Sequence, residues 1–225
     1  MKKAKVEFKN ITKKFNETVA VNNVSCTFEP GTLTTLLGPS GCGKTTSLRI
    51  VAGLERATSG QILIDDEDVT NQKTETRNIS QVFQFPVIYN TMSVYDNLAF
   101  PLKCRDFEKN KIEERVQSVS ETLNLSSFLN MPARKLTADQ KQLISLGRGL
   151  VREDVAAVLM DEPLTVIDPD LKFRLRRNLK EINEEYKTTL VYVTHDQNEA
   201  MTFADNIIVM DQGEIVQVGL PKDLF

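Results

Sequence analysis

"GPSGCGKTT", residues 38–46, fits the pattern G-x-x-x-x-G-K-[ST], and its flanks decide what kind of chain this is. Upstream, "TLTTLLG" (32–38) is a short apolar run that predicts a buried strand. Downstream, "KTTSLRIVAGL" (44–54) carries apolar side chains at helical spacing and predicts a helix that stops near Gly53. A glycine-rich loop between strand and helix brings backbone N–H groups close to phosphate oxygens, and the helix N-terminus adds positive potential. In that setting Lys44 reaches the β- and γ-phosphates and the Thr45 hydroxyl ligates Mg2+. A bare glycine turn before a helix is the bland alternative. The lysine, the threonine and both flanks together favour a nucleoside-triphosphate site made by Gly38, Pro39, Ser40, Gly41, Cys42, Gly43, Lys44, Thr45 and Thr46.

The segments around this loop extend the pattern. "AKVEFKNITKKF" (4–15) alternates like a half-buried strand, and "VAVNNVSCTFEPG" (19–31) ends in a Pro-Gly turn. "SGQILIDDEDV" (59–69) reads as a strand pair about an acidic turn. From about 90 to 152 the character becomes helical, with Ile112, Val116, Val119 and Leu123 on one face. Strand and helix then alternate: "VAAVLMDE" (155–162), a helix from Pro169 carrying Leu171, Leu175, Leu179 and Ile182 inward, "TTLVYVTHD" (188–196), and the hairpin "NIIVMDQGEIVQVG" (206–219). Buried strands separated by amphipathic helices predict an α/β fold with a mostly parallel sheet covered on both faces.

Composition narrows the function. With 225 residues, 40% of them hydrophobic, one domain with a sizeable core is expected. A net charge of −3 argues against nucleic acid as a partner. Three cysteines without a C-x-x-C pair point to a reducing compartment, and one histidine excludes a His-rich metal site. No run approaches the ~18 apolar residues of a spanning helix, and "MKKAKVEFKN" has no signal-peptide core.

Four further positions join the phosphate loop. Asp161 and Glu162 close a buried strand, at the end where open α/β sheets bind ligands. Asp161 suits Mg2+ through water, and Glu162 suits polarising the water that attacks the γ-phosphorus. Solvated acids at a strand end are the alternative. His195 closes another buried strand, placed to hydrogen-bond the γ-phosphate and steady that water, although a lone histidine is more often a packed or capping residue. Gln84, after the apolar strand in "SQVFQF" (80–85), offers a neutral amide to Mg2+ or water.

Together these residues resemble the ATP-binding cassette ATPases that drive carbohydrate-type importers, over nearly the whole chain and in the family's order. The resemblance implies a P-loop cassette over residues 1–225, with an N-terminal antiparallel β part and a helical subdomain inserted at about 86–152. It places Phe15 against adenine, Gln84 in the glutamine loop, Leu136, Thr137, Ala138, Asp139 and Gln140 in the signature, and Asp168 in the loop that meets the other subunit. His195 matches the switch histidine. It further implies ATP and Mg2+, a second cassette subunit, and membrane permeases docking near residues 84–105. A solute-binding protein takes part indirectly, and the chain works peripherally at the cytoplasmic face of the membrane. The transported substrate is expected to be a sugar or a polyol such as glycerol. Relatives of this type often continue into a small β-rich regulatory domain. The sequence stops at "GLPKDLF" (219–225), so that domain is expected to be absent or removed.

The signature departs from the family's L-S-G-G-Q. Ala138 and Asp139 replace the two glycines. In the family each signature faces the γ-phosphate held by the opposite subunit. A carboxylate roughly 4–5 Å from a phosphate oxygen costs about 3–4 kcal/mol at an effective dielectric near ~20. Alternatively Thr137 and Gln140 form a capping box and Asp139 favours the first helical turn by only ~0.3–1 kcal/mol, its side chain clear of the nucleotide. A weakened signature predicts a heterodimer, because this signature would spoil the partner's site while the partner completes this one. A homodimer, an ATP-binding regulatory subunit and a cassette acting on nucleic acid or ribosomes are the alternatives. Cys42, inside the loop near Lys44, is expected either to be a reactive thiol shielded by ATP or to be a small buried residue.

Overall fold

The computed structural model describes residues 4–224. The first three residues of "MKKAKVEFKN" and Phe225, the last of "GLPKDLF", lie outside the described residues. The chain divides into two compact units.

The first unit comprises the chain up to Gln81, Val155–Glu162, and everything from Lys180 onward. It carries two sheets. β1 (Val6–Phe15) pairs antiparallel with β2 (Thr18–Phe28) and with β4 (Ser59–Ile64), and β5 (Glu67–Asp68) extends this sheet on β4. Val6, Phe8 and Ile11 point inward from β1, and the Phe8 ring meets Phe28 edge-on at 5.9 Å. The two-residue turn of "IDDE" puts Asp65 and Asp66 at φ 50° and 67°, the left-handed pair that suits a tight hairpin.

The six-stranded second sheet runs in the order β10 (Glu214–Gly219), β9 (Asn206–Asp211), β3 (Leu33–Leu37), β8 (Leu190–Thr194), β7 (Ala157–Asp161), β6 (Ile79–Val82). β3 pairs parallel with both β8 and β9, and β7 pairs parallel with β8. Every residue of β3, β7 and β8 is buried, which is why these strands read as unbroken apolar runs rather than as alternations. Only the β9–β10 hairpin is antiparallel among the pairs described.

α1 (Lys44–Ala52) follows the phosphate loop and ends on Gly53 in the left-handed conformation. Its last carbonyls meet an arginine. Arg77, 4% exposed, donates to the carbonyls of Ile50, Val51, Thr70 and Gln72 at 2.7–3.2 Å. A helix leaves its final carbonyls without backbone donors, and a guanidinium carries five N–H groups in a fixed fork.

The second unit comprises Val82–Asp154 and Pro163–Leu179. It holds α2 (Val94–Lys103), α3 (Lys109–Thr122) and α4 (Ala138–Leu150). Ser93 caps α2 through the Asp96 N–H at 3.0 Å. Ile112, Val116, Val119 and Leu123 are all buried. Arg115 is buried at the end of α4, donating to Leu150 and Val151 carbonyls and pairing with Glu153 at 2.8 Å.

α5 (Pro169–Tyr186) starts at the predicted proline and runs from the second unit into the first. Leu175, Leu179 and Ile182 are buried as expected, but Leu171 is only half-buried. It lies in the first turn beside exposed Pro169 and Asp170, ahead of the part of the stripe that is covered.

Candidate functional site

Parallel register aligns the strand ends of the first unit. Leu37 lies opposite Thr194, and Asp161 lies opposite Val193. The residues that follow these strand ends, Gly38, Glu162 and His195, therefore emerge at one end of the sheet. The Glu162 N–H continues the ladder to the Val193 carbonyl at 3.1 Å.

The loop's conformation depends on glycine at two positions. A Cβ on Gly38 would collide with the Met210 carbonyl oxygen of β9. Gly43 has φ 102°, and a Cβ there would meet the Ala20 carbonyl oxygen. Between them Pro39, Ser40 and Gly41 are exposed and Cys42 is buried, as is Lys44 just after them. The Lys44 ammonium donates to the carbonyls of Gly38 and Pro39 at 2.7 and 2.8 Å, so its charge lies within the loop. α1 begins without a side-chain cap and without an acid of its own in its first turn, so the carboxylate at this helix end comes from another element, Asp161 of β7.

The Thr45 hydroxyl donates to Asp161 Oδ1 at 2.9 Å, and Thr46 is half-buried beside it in the chain. Burial raises the Asp161 carboxyl above its ordinary range, and Glu162 adds to that. The Thr45 bond, Arg49 and Lys44 oppose the rise. Thr45 and Asp161 fit a hard divalent cation: both offer oxygen, and the buried carboxylate has a deficit of positive charge. Glu162 has φ 45°, an uncommon conformation for a side chain of this size. Its Oε1 stands 3.1 Å from His195 Nδ1.

The first unit thus brings Lys44, Thr45, Asp161, Glu162 and His195 to one sheet end. Phe15, at the close of β1, is 44% exposed with the Lys13 ammonium 4.6 Å above its ring. Gln84, the signature residues and Asp168 belong to the second unit. Gln84 is half-buried, and Asp168 is exposed with Oδ1 accepting from the Asp170 N–H at 3.0 Å. Leu136 is buried. Thr137 caps α4 and forms both halves of a capping box with Gln140, at 3.3 and 3.0 Å. Ala138 is exposed and Asp139 half-buried in the first turn.

Of the two expectations for Cys42, its position matches the small buried residue. Its thiol is 3% exposed and packed within the core, 3.7 Å from the Lys44 ammonium, so a maleimide has no approach to it.

Sequence reasoning passed over the group behind His195. Glu199, in α6 (Gln197–Phe203), is 7% exposed and accepts from the hydroxyls of Tyr192 and Thr194 at 3.1 and 2.8 Å. The available signal was Asp196 and Glu199 spaced as an N-cap and its third helical residue.

The sequence profile of the ABC transporter family matches residues 21–165. The chain is 44% identical over 220 residues to an Fe(3+) ions import ATP-binding protein of Brucella abortus (strain 2308), covering 98% of this chain and 62% of that protein. It is 43% identical over 228 residues to the trehalose/maltose import ATP-binding protein of Thermococcus litoralis, covering 99% of this chain and 61% of that one. The chain thus spans about three-fifths of the length of these relatives. Among solved structures it superposes on the ATP-binding cassette MJ0796, described as a dimeric post-hydrolysis state bound to ADP and Pi. That match has a TM-score of 0.85 at 28% identity, covering 96% and 98% of the two chains.

Proposed function

The chain belongs to the ABC transporter family, and from that premise we propose that it is an ATP-hydrolysing subunit that powers import across a membrane. The supporting observation is the alignment of Lys44, Thr45, Asp161, Glu162 and His195 at one end of the parallel sheet. Backbone N–H groups of the loop and the uncapped end of α1 receive the phosphates, and Lys44 exchanges its two carbonyls for β- and γ-phosphate oxygens. Thr45 and Asp161 would hold Mg2+, which when bound would neutralise phosphate charge. Phe15 stacks on adenine. Glu162 takes a proton from water as the water oxygen attacks the γ-phosphorus; the bond to the β-phosphate oxygen breaks and its electron pair leaves with ADP. His195 orients the Glu162 carboxylate and contacts the γ-phosphate.

Glu162→Gln keeps the shape and removes the base. The rate of phosphate release from ATP should fall by roughly 10²–10⁴-fold while ATP affinity persists. A Glu162→Gln chain as fast as the wild type would refute the proposal.

The pairing follows from α4. Its first turn already holds an acid, Asp139, and a closed capping box, whereas the first turn of α1 has no acid of its own and no capping box. The signature of this chain is therefore a poor donor to a phosphate across a dimer, and we assign it an unlike cassette partner, with Asp168 at their interface. The transmembrane permeases dock on the residues 84–105 region, at the cytoplasmic face, and a solute-binding protein delivers the cargo. No helix among the described residues is long and apolar enough to cross a membrane. The cargo we favour is a sugar or polyol; the two relatives above are named for iron and for trehalose/maltose. Transport assays with the neighbouring permeases, comparing a polyol, a disaccharide and Fe3+, test that choice.

A further inference from the structure

We infer that Glu199 is a positioning residue for His195, acting through Thr194; the inference rests on the role proposed above for His195. The His195 side chain is 55% exposed, so little packing of its own holds the ring 3.1 Å from Glu162. Its two chain neighbours are held instead. Thr194, the last residue of β8, is 3% exposed. Its hydroxyl donates to Glu199 Oε2 at 2.8 Å and accepts from the Asp196 N–H at 3.0 Å. One hydroxyl thus ties the residue before His195 to the residue after it.

The direction of that hydroxyl follows from the carboxylate. A carboxylate only accepts, so both Tyr192 and Thr194 must donate to Glu199. Thr194, its proton committed, turns a lone pair toward the Asp196 N–H. A neutral amide at 199 can flip and donate to Thr194 instead, in competition with that N–H. Helix capping does not account for the acid, since Asp196 Oδ1 already accepts from the Asn198 and Glu199 N–H groups at 2.8 and 3.3 Å. Packing does not account for it either, because a buried carboxylate costs more than an aliphatic side chain of like size. The far end of α6 is pinned separately, where Phe203 meets the Tyr192 ring edge-on at 4.9 Å.

The chain has one histidine, so imidazole nitrogen signals from a labelled sample report one site. In the wild type the proton is expected on Nδ1, facing Glu162. Thr194→Val keeps the shape and removes the relay; it should shift the tautomer balance toward that of an unconstrained imidazole. It should also lower kcat for ATP roughly 10- to 100-fold with KM within about twofold. Thr194→Ser should restore both, and Glu199→Ala should behave like Thr194→Val. A folded Thr194→Val chain with wild-type imidazole signals and wild-type kcat overturns the inference, whether or not Glu199→Ala folds. If the wild-type chain hydrolyses no ATP, the proposed function fails by itself, and the imidazole signals still decide whether Thr194 and Glu199 place His195.

Discussion

Thr45 and Asp161 are joined across 2.9 Å, the hydroxyl at the start of α1 donating to the carboxylate at the end of β7. The bond compensates only part of what burial costs the carboxylate, whose ionisation is pushed upward from 3.8. The folded chain therefore binds this proton more tightly than the unfolded chain does. Asp161 weakens the nucleotide-free fold as pH rises through and above 3.8. Asp161→Asn should raise the Tm at pH 7, on the order of 2 °C, with the gain shrinking as pH falls toward the ordinary carboxylate range. The same variant should lose most of the extra thermal stability that Mg2+ with ATP gives the wild type. Calorimetry across pH, with and without Mg2+ and ATP, checks both halves.

Asp139→Gly should move activity and stability in opposite directions. Removing a first-turn acid and placing glycine in a helix costs about 0.5–1.3 kcal/mol, read as a lower Tm. ATP turnover by the chain alone should rise by roughly 10²–10³-fold, and mixing wild type with a partner bearing a full signature should do the same. Equal turnover by wild type and variant would remove the case for an unlike partner.

The three thiols should separate cleanly. Cys104 is exposed and should take a maleimide within minutes at pH 7.5. Cys26 packs against the core, and burial pushes its thiol up to about 12, so it carries almost no thiolate there. Cys42 is buried. Mass spectrometry should find one fast adduct per native chain and three after denaturation.

Arg77→Ala should be the most destabilising of these changes, by roughly 2–4 kcal/mol, since four carbonyls lose a charged donor. Arg77→Lys should recover less than half of that: an ammonium has three donors and no fork. Urea titration of the three chains measures it.

Much of the first unit was legible in the sequence, because strands buried on both faces read as continuous apolar runs and the phosphate loop is a local pattern. Asp161, Glu162 and His195 stood out as polar residues that end such runs. Arg77 and Glu199 did not. Each is charged, and nothing nearby in the chain announces that carbonyls from residues 50–72 or hydroxyls from β8 surround it. The inclusion of Pro163–Leu179 with the helical unit was equally hidden, since it arises from contacts distant in sequence. Leu171 fits the helical stripe, but periodicity does not tell how far a stripe is covered.

Arg77 also bears on the order in which the molecule is made. The helix that starts at Lys44 is written early, yet the cation that closes it comes 33 positions later, after β4 and β5. A nascent chain released only as far as β5 holds the whole phosphate loop, with its helix closed by Gly53 but not yet by the arginine. Asp161, Glu162 and His195 are made later still, so the phosphate loop waits on β7 and β8 for the rest of its site.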